Sequence, residues 1–255
     1  MKTLVFYNRG PLQSYLLDNV QHTLDLHGGN IKIYLLTDID IAIPGVETVD
    51  IRGYPSVNLI NCDPHGSPFW VWTTLRFFDI AHWLKLNPTI DGVYHLENDT
   101  LLLTKLDDLV LYDKNKIHVP QDCEYRAIGC ICWLPSYEAM VGFLTFILRQ
   151  QKVMPLNDMN YLGLYKDKCH FPILPCGDGV GVFDAAHAGQ WFDGTTSNPG
   201  VQFINETSIM KMTDHRVTFH DNCIYIDNCK LHNLHVHSKR LKLVLEKIKK
   251  LSAMN

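Results

Sequence analysis

Apolar and polar positions alternate along this chain in two rhythms, one of strands and one of helices. Residues 3–7 (TLVFY) form an apolar run stopped by Asn8, Arg9 and Gly10, the pattern of a buried strand entering a polar loop. Leu12, Leu16, Leu17, Val20 and Leu24 then recur at helical spacing up to Gly28–Gly29, where glycine accepts the left-handed conformation that ends a helix. Residues 31–36 (IKIYLL) read as a second strand, so the first unit is strand–helix–strand of about 30 residues, which joins parallel strands. A weaker third strand follows at 46–51. A polar connection, 55–68, leads to a long aromatic-rich helix over 69–86, stopped at Asn87–Pro88.

Further strands are predicted at 92–96, 101–103, 117–119 and 127–134, and helices at 135–151 and 157–165. The stretch 168–207 is rich in glycine and proline with no clear period, and no element is assigned to it. Strands at 223–226 and 232–236 and a basic helix at 239–251 close the chain. Strands alternating with helices predict an α/β fold with a mostly parallel central sheet, as a single domain over 1–255. Ligands of such sheets bind in the crevice at the carboxyl ends of the strands. That singles out Asn8, Arg9, Asp38, Glu97, Asp99, Asp158 and the histidines near position 235.

Composition narrows the function classes. The 255 residues are 46% hydrophobic and 20% charged, which excludes a disordered chain or a disulfide-dense miniprotein. The net charge of −4 gives no basic field for nucleic acid. No apolar run reaches the roughly 20 residues of a membrane span, and residues 4–6 are too short for a signal peptide. No CxxC pair occurs among the eight cysteines, which read as reduced, mostly buried thiols, with Cys130 and Cys132 on one strand face. A cytoplasmic location is expected, because a sugar on the sequon at Asn98 would obstruct the loop described next.

Two constellations carry chemistry. In His95–Leu96–Glu97–Asn98–Asp99–Thr100 an apolar strand stops on two carboxylates at i, i+2, which point the same way on an extended chain. Like charges so placed repel unless a cation joins them, and a hard divalent ion held by one or two carboxylates plus substrate phosphates is the usual answer. A plain Asn/Asp turn is the alternative. In His232–Asn233–Leu234–His235–Val236–His237–Ser238–Lys239, His235 and His237 share a face and a lysine follows, a plausible Mn²⁺ ligand and a phosphate partner. Exposed surface histidines are the alternative there.

With these motifs the chain resembles the metal-dependent nucleotide-sugar glycosyltransferases of the GT-A fold. Glu97–Asn98–Asp99 looks like their Asp-x-Asp loop with Glu in the first place, and 234–239 looks like the closing histidine-and-lysine motif of glycogenin-like members. The runs 182–192 and 203–207 are similar to those of bacterial and giant-virus glycosyltransferases. The resemblance implies a Rossmann-like three-layer sandwich, with a donor-binding half at about 1–104 and an acceptor-binding half at about 105–240. It implies Mn²⁺ or Mg²⁺ as cofactor, with Glu97, Asp99 and His235 or His237 as metal ligands. It further implies a nucleotide-sugar donor, UDP-sugar favoured, contacted by Asn8, Arg9, Asp38, Arg76, Glu97, Asn98 and Lys239, and a glycan or glycoconjugate acceptor. Asp158 is the first candidate for the catalytic carboxylate, with Asp184 and Glu206 behind it. Met159 stands where retaining members carry Gln, so Asp158 is read either as the base of an inverting transfer, as a clamp on a sugar hydroxyl, or as a mere helix cap.

His95–Leu96–Glu97 has no PCxxC partner and is not a zinc deaminase, and 177–181 is neither a P-loop nor a dinucleotide fingerprint. The aromatics of 69–83 read mainly as core, with one or two tryptophans available to stack on an acceptor. The basic last helix reads as a solvated face. A metal-dependent nucleotidyltransferase and a non-catalytic carbohydrate-binding domain are the rival functions.

Overall fold

The computed structural model describes residues 1–55, 60, 68–174, 179–185, 187–193, 215–220 and 223–252. Three strands lead: β1 (Lys2–Asn8), β2 (Ile31–Thr37) and β3 (Val46–Asp50), with helix α1 (Ser14–His27) crossing from the first to the second. Helix α2 (Pro68–Leu86) precedes β4 (Val93–Leu96) and the short β5 (Thr100–Leu102). Then come β6 (Ile117–Cys123), β7 (Arg126–Ala127), β8 (Ile131–Leu134), α3 (Tyr137–Val153), α4 (Asp158–Leu164), β9 (Lys168–Phe171) and α5 (His187–Asp193). The chain closes with β10 (Val217–His220), β11 (Cys223–Ile226), β12 (Cys229–Lys230), β13 (Asn233–His235) and α6 (Leu241–Ser252).

The main sheet runs β3-β2-β1-β4-β8-β6-β7, with β9 added to β6. Its first half is parallel, and β8 turns antiparallel against β4. Strand order reverses at β1, which has β2 on one side and β4 on the other. That is the switch point where a crevice opens at the strand ends. Alternation along β1 sorts its side chains. Val5 and Tyr7 join Phe77, Phe143 and Tyr161 of α2, α3 and α4 in one core layer. Leu4 and Phe6 join Leu16 and Val20 of α1 in the other. A third cluster unites β11, β12, α5 and α6 around Ile226, Phe192 and Val244.

Several boundaries differ from the sequence reading, each for a physical reason. The strand expected at 127–134 is broken into β7 and β8, because Gly129 leaves the ladder where an added Cβ would stand 2.2 Å from Arg76 Nη2. Cys130 and Cys132 therefore fall in opposite core layers and do not share a face. The loop-rich stretch after 168 contains β9, paired with β6, and the short α5. Only Phe171 of β9 is buried, so that strand had no apolar alternation to detect. The last helix starts at Leu241, two residues later than expected, since Lys239 holds a positive φ of 63° that no helix accommodates.

Helix α5 meets β13 at Gly189, where a Cβ would lie 2.0 Å from the carbonyl oxygen of His235. Gly189→Ala is therefore expected to cost about 1–3 kcal/mol by overpacking. Gly53→Ala, with open space around it, is expected to stay within about 0.5 kcal/mol of the parent. Urea denaturation of the two variants checks this, and equal midpoints would show that α5 is not packed on β13 as described.

Candidate functional site

The carboxyl ends of β1 and β4 open into a cleft of about 460 Å³, within the usual range for a small-molecule site. Strand β4 carries His95 to its floor, and Glu97 follows the strand with its N–H still bonded to the Cys130 carbonyl at 2.9 Å. The turn to β5 closes through Thr100 N–H donating to Glu97 O at 3.0 Å. Asn19 of α1, fully buried, locks that turn from below by donating to the carbonyls of Asn98 at 3.1 Å and Thr100 at 2.8 Å. From the far end of the chain, β13 pairs antiparallel with β5 in the register His235–Thr100, and Val236 N–H donates to Asp99 O at 2.8 Å. Backbone bonds thus bring His235 to the carboxylate turn.

Glu97, Asp99 and His235 each offer a ligand atom, all within 4.8 Å of one another. His235 Nε2 lies 3.4 Å from Glu97 Oε2 and 3.5 Å from Asp99 Oδ1. Two carboxylate oxygens and an imidazole nitrogen suit a divalent cation. Burial disfavours charge on His235, yet Asp99 and Glu97 outweigh it and raise the imidazolium to about 9. Burial likewise raises Asp99, but His235 and Lys239 overcome it and hold the carboxyl far below its usual range. Lys239 forms an ion pair with Asp99, and its left-handed backbone turns it back over the site. His237 also lines the cleft, its ring centroid 4.4 Å from that of His235, but burial and the neighbouring imidazolium lower it to about 4. The structure gathers His235, and not His237, with the carboxylates.

Arg76, on α2, is buried between Glu97 and Asp158, donating from Nη2 to Asp158 Oδ2 at 2.7 Å and pairing with Glu97 through Nη1. The missing Cβ of Gly129 makes room for it. Asp158 is 2% exposed, and its Oδ1 has no hydrogen-bond partner among the described residues. The helix-cap reading of Asp158 is corrected: Asn157 is the cap, its Oδ1 accepting from Asn160 N–H at 3.0 Å, so Asp158 is left to face Arg76 and the cleft. Burial raises the Asp158 carboxyl above its ordinary value despite Arg76. His95 donates from Nδ1 to the Val5 carbonyl at 3.0 Å, and burial and Arg76 lower it to about 3, so it is a neutral ring.

At the β1 end, Asn8, Arg9 and Asn98 line the cleft. Asp38 does not. Its Oδ1 accepts from Gly10 N–H at 2.9 Å and shapes the loop that carries Asn8 and Arg9. Asp184 is a further correction: its carboxylate is occupied by the N–H groups of Ala188 (3.0 Å), Gly189 (2.7 Å) and His235 (2.9 Å), so it ties α5 to β13 and lies off the cleft. Glu206 lies outside the described residues. Sequence reasoning missed Asp79. This fully buried carboxylate accepts from Tyr7 O–H at 2.7 Å and Arg9 Nη2 at 2.8 Å, clamping Arg9 against the cleft wall. The signal was present, since Asp79, like Arg76, is a charged residue in the largely apolar middle of α2.

Folding raises the His235 imidazolium, so its ionic stabilisation is complete below the unfolded value of 6.5 and is lost as pH rises through about 9. In EDTA, the urea midpoint of the protein is expected to fall across that window, and the fall is expected to shrink in His235→Gln. Parallel curves for the two proteins would contradict the ionic contacts of His235.

No protein-family model matches the sequence, and no curated protein matches it. Solved structures do. The chain is similar to the galactosyltransferase LgtC, solved in complex with donor and acceptor sugar analogues, at 14% identity, TM-score 0.52, and 98% coverage of this chain against 96% of that one. It is also similar to the apo structure of the bifunctional glycosyltransferase WbbM, at 13% identity and TM-score 0.52, with 98% of this chain matching 50% of WbbM. Together with the mixed α/β sheet and its switch-point cleft, these likenesses show that the chain has the GT-A glycosyltransferase fold.

Proposed function

We propose that the protein transfers a sugar from a nucleoside-diphosphate sugar, with UDP the favoured nucleotide, to a hydroxyl of a glycan or glycoconjugate. The observation that carries this reading is the juxtaposition of Glu97, Asp99 and His235 within 4.8 Å in a cleft at the carboxyl ends of β1 and β4. The donor set fits Mn²⁺ or Mg²⁺, which when bound would neutralise charge developing on a leaving diphosphate. Glu97, Asp99 and His235 would hold that ion. Asn8 and Arg9, at the β1 end, would bind the nucleoside, with Asp79 fixing Arg9 in place. Lys239, already at the mouth beside Asp99, would contact the diphosphate as a mobile point charge.

Asp158 sits on the α4 side of the same cleft. Arg76 holds one of its oxygens, and Oδ1 is the atom that receives a substrate hydroxyl. As the base of an inverting transfer, it takes the acceptor proton while the acceptor oxygen bonds the anomeric carbon and the diphosphate leaves with its bonding electron pair. As a clamp on a donor hydroxyl, it binds the sugar in the ground state.

Two variants test the reading. Asp99→Asn removes a direct ligand and is expected to weaken Mn²⁺-dependent UDP binding by at least about a hundredfold, measured by calorimetry. Undiminished UDP binding in that variant or in EDTA would contradict the proposed donor site. Asp158→Asn, if Asp158 is the base, is expected to lower kcat by about 10²–10⁴-fold with donor affinity nearly unchanged. If Asp158 is a donor clamp, donor affinity falls as well. Wild-type turnover would remove Asp158 from the chemistry.

A further inference from the structure

Helix α6 divides its residues between two faces. Leu241, Val244, Leu245 and Ile248, at i, i+3, i+4 and i+7, pack into the cluster around Ile226 and Phe192. The opposite face is exposed and basic: Lys242, Lys249 and Lys250 lie on it with one acid, Glu246. Leu243, 51% exposed, stands on the same side, seven residues before Lys250. The positive charge is concentrated here. Residues 239–250 hold six of the chain's basic residues and one of its acids, in a chain whose net charge is −4. Lys249 has Asp25 of α1 for a neighbour, since both act on His22, and its charge is partly offset. Lys239, which lines the cleft, stands two positions before Leu241, so the helix starts beside the cleft mouth.

We propose that the exposed face of α6 docks on an anionic phospholipid surface. A cluster of about four to eight Lys and Arg on an amphipathic helix is the charge pattern that such a surface attracts, each lysine near it being worth about fivefold in partitioning. Lysine stems lie along the headgroup layer with the ammonium at phosphate level, and Leu243 reaches the acyl boundary beneath. A nucleic acid offers phosphates of the same charge but no apolar layer behind them, so Leu243 favours lipid. Among the described residues no helix is long and apolar enough to cross a membrane, and the contact is one of surface attachment. It is reversible and weakened by salt, because the apolar face of α6 is turned into the fold and charge supplies most of the attraction. Docking through α6 is independent of the transferase reading and adds a partner to it: the cleft mouth is held beside the headgroups.

Sedimentation with vesicles tests this without donor, acceptor or metal. One set of vesicles is phosphatidylcholine alone, and the other is about one third phosphatidylserine. At about 0.1 M salt the protein is expected to sediment with the second set and not with the first, and to be released at about 0.5 M salt. The double variant Lys242→Ala/Lys250→Ala is expected to lower the partition coefficient about 25-fold, the product of two lysines. Both side chains are exposed, so its melting temperature is expected to match the parent's. Leu243→Ser is expected to weaken vesicle binding and to leave any retention on duplex DNA unchanged. No sedimentation with the anionic vesicles at the lower salt would overturn the proposal, as would undiminished sedimentation of the double variant. Duplex DNA bound as tightly as the vesicles, with Leu243→Ser altering neither, would assign the face to polyanions in general and equally overturn it.

Discussion

Three carboxylates, those of Glu97, Asp99 and Asp158, meet on one cleft floor, and Asp99 and Asp158 are almost wholly removed from water. So much like charge in a low-dielectric place is not stable by itself. Three cations answer it. Arg76 bridges Glu97 and Asp158, Lys239 pairs with Asp99, and His235 carries a proton between Glu97 and Asp99. The two cations beside Asp99, those of His235 and Lys239, together carry the charge of one divalent ion. Under the proposed function, a divalent ion would replace that charge once His235 gave up its proton and Lys239 turned to another anion. A nucleoside diphosphate is such an anion.

The fold serves this balance by placing its members with backbone bonds and with absent side-chain atoms. The β13–β5 pairing sets His235 opposite Thr100, and Asp184 draws three N–H groups together so that α5 and β13 stay in register. Gly129 and Gly189 matter for their missing Cβ, one admitting the Arg76 guanidinium and the other the His235 carbonyl. Loss of Arg76 would leave a buried carboxylate unpaired, a change that typically costs about 3–5 kcal/mol. Stability and chemistry are coupled through that one side chain.

Much of this was legible in the sequence. The strand–helix rhythm predicted the sheet, and the i, i+2 carboxylates after a strand marked the turn that the structure brings together with His235. The sequence left His235 and His237 equivalent, and the β13–β5 register is what brings the His235 ring into the group with Glu97 and Asp99. Asp158 stood ahead of Asp184 as a candidate, but what separates them, Arg76 beside one and backbone N–H groups around the other, is a tertiary fact. Asp79 was missed because a charge inside an apolar helix was weighed only at Arg76. The segment after 168 concealed β9 and α5 because short elements with one or two buried residues leave no period.

In the proposed site His235 joins Glu97 and Asp99 around one ion. Pulsed electron paramagnetic resonance of the protein with Mn²⁺ and UDP tests it most directly, because the electron spin senses nuclei bound to the metal. Coupling to one imidazole nitrogen and to phosphorus is expected, with the nitrogen coupling lost in His235→Gln and kept in His237→Gln. A spectrum without nitrogen coupling, or one whose nitrogen coupling disappears with His237 and not with His235, would contradict it.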